Sequence, residues 1–149
     1  MPKTYEAEFG SIPCDWWYTL LPELGNECFQ LLCFLWSNKD KKPEGIYSMP
    51  VSYMAGVLDV DRTTIKRRLQ VLIDTDHILY DFTHGIVLLR GYMQYQGVFR
   101  RKIPEANISA IKARFQLIEN KINPQWRKVW TADLATVPFL QSALIEAKM

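Results

Sequence analysis

No apolar run in this chain of 149 residues approaches the roughly 18 that a membrane-crossing helix requires; the longest, residues 31–36, contains Cys33 and is closed by Gln30 and Ser37. No membrane partner is therefore expected. The N-terminus carries Glu6 and Glu8 and lacks the basic-then-apolar order of a secretory leader. Cysteine is scarce and odd in number. Cys14, Cys28 and Cys33 fit no zinc-ligand spacing, and the expectation is three reduced thiols in a cytosolic core. Histidine is scarcer still: His77 and His84 make no metal site with the cysteines. The carboxylate pairs Asp59/Asp61 and Asp74/Asp76 resemble a divalent-metal nuclease only superficially. The first pair belongs to a turn and a helix cap, the second to a helix end. No enzyme, no metal and no cofactor are expected. Internal repeats and low-complexity tracts are also missing.

What is present is apolar material for one core: 48% of the residues are hydrophobic and 13% aromatic, which argues against a disordered chain. The net charge of +2 says little, but its distribution says more. Residues 1–61 carry a net −5, residues 62–102 a net +5 and residues 103–149 a net +2. A concentration of cations in the middle of the chain is what a phosphate-binding face requires, although solvated surfaces show it too.

Gly10-Ser11 and Pro13 argue against a helix before Asp15, which is expected to cap a short turn reaching Leu20 or Leu21. Asn26 reads as the N-cap of a helix with Cys28, Leu31, Leu32, Leu35 and Trp36 at helical spacing, stopping near Asn38. A polar loop of mixed charge, residues 39–45, leads to a very short strand at residues 45–49. Pro50 suits the first turn of a short helix with Tyr53, Met54, Val57 and Leu58 inside. Asp61 is a natural N-cap for a helix from Arg62 to about Thr75, in the stretch DVDRTTIKRRLQVL. At about 100° per residue, Ile65, Leu69, Leu72 and Ile73 share its inner side, Thr63, Arg67 and Gln70 point away, and Lys66 and Arg68 lie on opposite edges. Residues 78–82 and 86–90 read as a β-hairpin turning through Thr83-His84-Gly85. A helix beginning at Pro104 and Glu105 places Ile108, Ile111, Phe115, Ile118 and Ile122 on one narrow seam and ends at Asn123-Pro124. Trp126 and Trp130 follow in a short turn or helix. A last helix from about Ala132 carries Leu134, Val137, Leu140, Leu144 and Ile145 inside.

Helix, short strand, helix, helix and hairpin form the order of a winged helix. The expected fold class is α+β, mostly α: a winged helix-turn-helix with additional C-terminal helices. An irregular arm at 1–25, a winged-helix domain at 26–97 and a helical extension at 98–149 are the expected divisions. The last would pack on the domain or form a dimer interface.

Several features carry a family resemblance: Gly45-Ile46-Tyr47 before Pro50, the turn at Leu58-Asp59, Leu69 and Leu72 in the third helix, the hairpin, and Tyr92-Met93-Gln94-Tyr95-Gln96 after it. Over roughly residues 16–97 the chain resembles the N-terminal winged-helix domain of bacteriophage replication-initiation proteins, the replisome-organiser or DnaD-like group. The resemblance implies binding of origin DNA in the cytoplasm of a bacterial host. In that group a further domain recruits the helicase or its loader; here the chain has room for only two or three more helices, so that half is expected to be missing or much reduced.

On this basis the expected ligand is double-stranded DNA, and the third helix is the one placed in the major groove. Arg67 would reach a guanine edge and Gln70 an adenine, with Arg62, Thr63, Thr64 and Lys66 beside them, Thr63 and Lys66 on phosphates. Arg90 and the cluster Arg100, Arg101 and Lys102 would hold the backbone. The same patterns also fit a solvated helix face and a charged linker. The hairpin offers Asp81 and neither Lys nor Arg, which suits a different expectation: a winged-helix protein-interaction module, a small phage factor binding or inhibiting a host replication or transcription protein. The seam Ile108–Ile122 leaves a homodimer open.

Overall fold

The computed structural model describes residues 12–40, 45–92, 112, 113, 116 and 125–134. Expectations for residues 1–11, the loop at 41–44, the seam residues Ile108, Ile111, Phe115, Ile118 and Ile122, and residues 135–145 lie outside the described residues. Lys112, Ala113 and Gln116 are helical and exposed.

The first element is longer than the sequence suggests. Helix α1 spans Trp16–Leu24 and contains Pro22. A proline beyond the first turn costs a backbone hydrogen bond. Here Trp16, Leu20 and Leu24, one turn apart, pack against the core and offset that loss. Residues 16–24 are thus part of the folded body and not an irregular arm. Asp15 makes no side-chain cap.

The cap of the next helix is also displaced. Helix α2 spans Asn26–Ser37, and its N-cap is Gly25, with φ +85°. Gly25 N–H donates to Leu21 O at 2.9 Å and Gly25 O accepts from Phe29 N–H at 3.0 Å, so one residue closes α1 and opens α2. Only glycine adopts such a φ without strain, which moves the helix start one residue ahead of the polar side chain that looked like its cap. At the other end Asn38 and Tyr47 satisfy orphan carbonyls. Asn38 Nδ2 donates to Phe34 O at 3.0 Å, to Leu35 O at 3.2 Å and to Tyr47 Oη at 2.8 Å. The Tyr47 hydroxyl donates to Leu35 O. Burial pushes the Tyr47 phenol well above its ordinary range, so it stays a donor.

Strand β1, Ile46–Ser48, pairs antiparallel with β3, Ile86–Leu89, which pairs antiparallel with β2, Ile78–Asp81. The sheet order is β1-β3-β2. All four residues of β3 are buried, as its unbroken apolar run requires of a central strand.

Helix α3, Val51–Leu58, starts after an extended Pro50 that serves as N-cap, one position before the place expected of it. Its inner side is Val51, Met54, Ala55 and Leu58. Tyr53 and Val57 are exposed, at 38% and 51%, and not buried as expected. They lie on the solvent flank, and on a helix of two turns a small error in the assumed orientation moves whole side chains into water. The chain leaves α3 through Asp59 in the left-handed region, where Asp tolerates the strain better than most residues.

Helix α4, Arg62–Asp74, agrees closely with expectation. Asp61 Oδ1 accepts from Thr64 N–H at 2.7 Å, and Ile65, Leu69 and Leu72 are fully buried. With Leu31, Leu32, Leu35, Met54, Tyr80 and Val87 they form one core between the helices and the sheet.

Helix α5, Gln125–Leu134, is continuous through the point where two elements were expected. Trp126 and Trp130, one turn apart, are buried. Among the described residues the result is an α+β fold, mostly helical, with one small three-stranded antiparallel sheet, and it is compatible with a winged helix. No described helix is long and apolar enough to cross a membrane.

Candidate nucleic-acid interface

The hairpin is held by hydrogen bonds to Met49, in the segment that leads into α3. Met49 N–H donates to Gly85 O at 2.7 Å, and the Tyr80 hydroxyl donates to Met49 O at 2.6 Å. Gly85 has φ +66°, and a Cβ there would stand 3.3 Å from Pro50 Cα. Turn conformation and close approach both require glycine at this position.

This attachment leaves a groove of about 630 Å³. Arg62, Lys66 and Gln70, spaced four apart on α4, form one wall. Tyr80, Phe82, Thr83, His84 and Gly85 form the other, and Pro50, Val51 and Ser52 from the start of α3 complete it. The structure thus brings together three of the expected residues. Thr63 and Arg67 are exposed on the next strip of α4 and do not line the groove. Thr64 is half-buried, with its amide held by Asp61. Gln70 Nε2 donates to Asp74 Oδ1 at 2.9 Å, which occupies part of the amide that was expected to read adenine. Arg68, on the opposite edge, is buried and its guanidinium lies 3.3 Å from Glu27.

Arg90 departs from expectation. Its Nε and Nη2 donate to Asp133 at 2.8 and 3.2 Å, and Gly91 N–H donates to the same carboxylate at 3.2 Å. The hydrogen bond from Asp133 raises the Arg90 pKa against the opposing effect of burial, with further help from the charges of Asp133 and Asp76. A fork already closed on a carboxylate does not hold a phosphate. Arg90 therefore ties α5 to the end of β3. Arg90→Ala is expected to lower stability by about 1–2 kcal/mol, since it takes one partner from a mostly buried carboxylate. Urea unfolding would check this. Arg100, Arg101 and Lys102 lie outside the described residues.

The acid in the hairpin has a structural role. Asp81 Oδ1 accepts from the amides of Thr83 and His84 at 2.8 and 3.1 Å, and Oδ2 meets His84 Nδ1 at 2.8 Å. Burial pushes its pKa up, but the His84 ring, the two amides and the His84 charge together bring it below the ordinary carboxylate range. The carboxylate is thus engaged by the turn instead of facing the groove as a free anion. Sequence reasoning missed Phe82 and His84 as groove residues. The Asp-x-x-His spacing was the available signal for the pairing.

Burial pushes the thiols of Cys28 and Cys33 up, so they are poor nucleophiles, while Cys14 is exposed and not in the core as expected. His77, just before β2, has its pKa lowered by burial, against the raising effects of Glu23 and Asp76. Its Nε2 is buried with no hydrogen-bond partner among the described residues. The unfolded chain therefore binds this proton more readily than the folded one. The stability contributed by neutral His77 is complete above about pH 6.5, the ordinary histidine value, and falls as the pH drops through that value toward the lower folded-state pKa. The urea midpoint is expected to decline from pH 7 to pH 5, and His77→Gln should flatten that decline; an equally steep decline in the variant would assign it to other groups.

Comparison with protein-family models, curated proteins and solved structures finds no match to this chain.

Proposed function

We propose that the chain is a winged-helix DNA-binding protein of the phage type, acting in replication initiation or in control of phage genes. The observation that carries this is the groove in which Arg62, Lys66 and Gln70 of α4 face the β2–β3 hairpin. Helix α4 is the element that enters the major groove, and the hairpin is the wing. Two further features support it. The exposed strip of α4 is rich in cations and hydrogen-bonding side chains, and its N-terminus is firmly capped. Arg62 and Lys66 contact phosphate, and Arg67 and Gln70 are the residues within reach of base edges.

Fluorescence anisotropy of a labelled duplex, titrated against salt, tests the proposal. Binding at low salt that weakens with a slope of several counterions is expected. No binding at low salt would overturn it.

A second reading, a protein-interaction module for a host replication or transcription protein, is favoured by a different face. Trp17 is 60% exposed beside an apolar hollow between α1 and α2 that Leu21 and Phe29 also line. A stable complex with one such host protein, unaffected by loss of Arg62 and Lys66, would support that reading instead.

A further inference from the structure

The two walls of the groove differ in chemistry. The α4 wall presents Arg62 and Lys66. The hairpin wall presents no Lys or Arg, and its one carboxylate, Asp81, is engaged by His84 and two backbone amides. What the hairpin does present is Phe82, 46% exposed. Its ring meets Tyr80 in a T-shaped contact with centroids 4.9 Å apart and planes at 68°. Tyr80 is itself buried and pinned by its hydroxyl to Met49 O at 2.6 Å. The Phe82 ring is therefore braced from below, and it loses little freedom when a second ring settles on it.

A phosphate arriving at this wall finds no Lys or Arg, and the His84 ring is already engaged by Asp81. A base arriving there finds an aromatic face. We infer that Phe82 is a base-stacking residue, and that the ligand of the groove is DNA in which a duplex adjoins an unpaired base: the duplex lies against α4 and the first unpaired base stacks on Phe82. The inference rests on the DNA-binding reading of the groove and adds the class of DNA. Stacking a side chain on a base inside a continuous duplex requires unstacking that base, at a cost comparable with the gain; a base that is already unpaired has no such cost. The arrangement thus discriminates a junction from a plain duplex. The cations supply affinity for both, and the ring supplies the difference between them.

The test uses the full chain and two DNAs of equal duplex length, one blunt and one with a single-stranded extension whose first unpaired base is 2-aminopurine. Anisotropy gives the ratio of the two affinities, and 2-aminopurine fluorescence reports stacking. Wild type is expected to prefer the extended DNA and to quench the 2-aminopurine. Phe82→Ala is expected to reduce that preference by roughly five- to 150-fold, the range for losing one base–aromatic stack, and to abolish the quenching. Phe82→Trp should restore both, which separates stacking from a fault in folding. Equal affinity of wild type for the two DNAs overturns the inference, as does a preference that survives in Phe82→Ala. In either case, salt-sensitive binding that depends on Arg62 and Lys66 leaves the DNA-binding reading standing. Binding of neither DNA by wild type removes both.

Discussion

Replacing Arg62 and Lys66 together by alanine is expected to weaken duplex binding by roughly 100- to 10,000-fold at low salt, if each cation makes one charge-assisted contact to phosphate. The slope of log affinity against log salt should fall by about two counterions in the same experiment. The second number is the more informative. A double variant that merely perturbed the helix would lower affinity at every salt concentration without removing a defined number of counterions. Both side chains are exposed and neither contributes to the buried stripe of Ile65, Leu69 and Leu72, so the thermal midpoint should barely move. Arg67→Ala supplies the contrast. Arg67 is exposed on the adjoining strip, outside the groove. If it meets a base edge, its loss costs about 1–3 kcal/mol of discrimination between sequences, and random duplex is affected far less. A double variant with unchanged salt slope would show that the α4 wall does not face phosphate.

Much of what depended on near neighbours in the chain was legible in the sequence. The helix Arg62–Asp74, its cap at Asp61 and its apolar stripe follow from contacts within four residues, and the hairpin follows from two apolar runs around a glycine. What depended on distant residues was not. Arg90 looked like a free cation because Asp133, its partner, stands 43 residues away. Phe82 read only as the last residue of a strand, and the position of the hairpin against Pro50 places it at the groove. Gly25 illustrates a third case. Its role was local, but the neighbouring Asn26 offered a stronger cap signal, and the backbone geometry that glycine permits outweighed it. The groove combines both kinds of information. Its α4 wall was readable from residue spacing, and its hairpin wall was not.

Trp36→Ala is expected to cost about 3–5 kcal/mol, the range for truncating a large aromatic in a core, out of a total of about 5–15 kcal/mol for a domain of this size. Trp36 is 2% exposed. It meets Trp16 of α1 in a T-shaped contact at 4.6 Å and Tyr92, three residues beyond β3, in another at 4.7 Å. The Tyr92 hydroxyl also donates to Trp36 O at 3.3 Å. One side chain thus joins α1, α2 and the segment that leaves the sheet. Its removal takes away both described ring contacts as well as buried area, and the surrounding helices close the resulting cavity only in part. The expected result is a lower urea midpoint with an unchanged m-value, since the surface exposed on unfolding hardly changes. Trp17→Ala is the control. Trp17 is 60% exposed and its one described ring contact, with Phe29, is at 5.2 Å, so its loss should cost far less. The consequence for the groove can be read in the same pair of proteins. The hairpin is fixed to Pro50 and Met49, so Trp36→Ala should bind duplex as wild type does wherever it remains folded. A variant that stays folded, loses under about 1 kcal/mol and binds normally would show that the aromatic joint is replaceable. One that stays folded but loses DNA binding would mean that α1, through Trp16, helps to hold α4 and the hairpin in register.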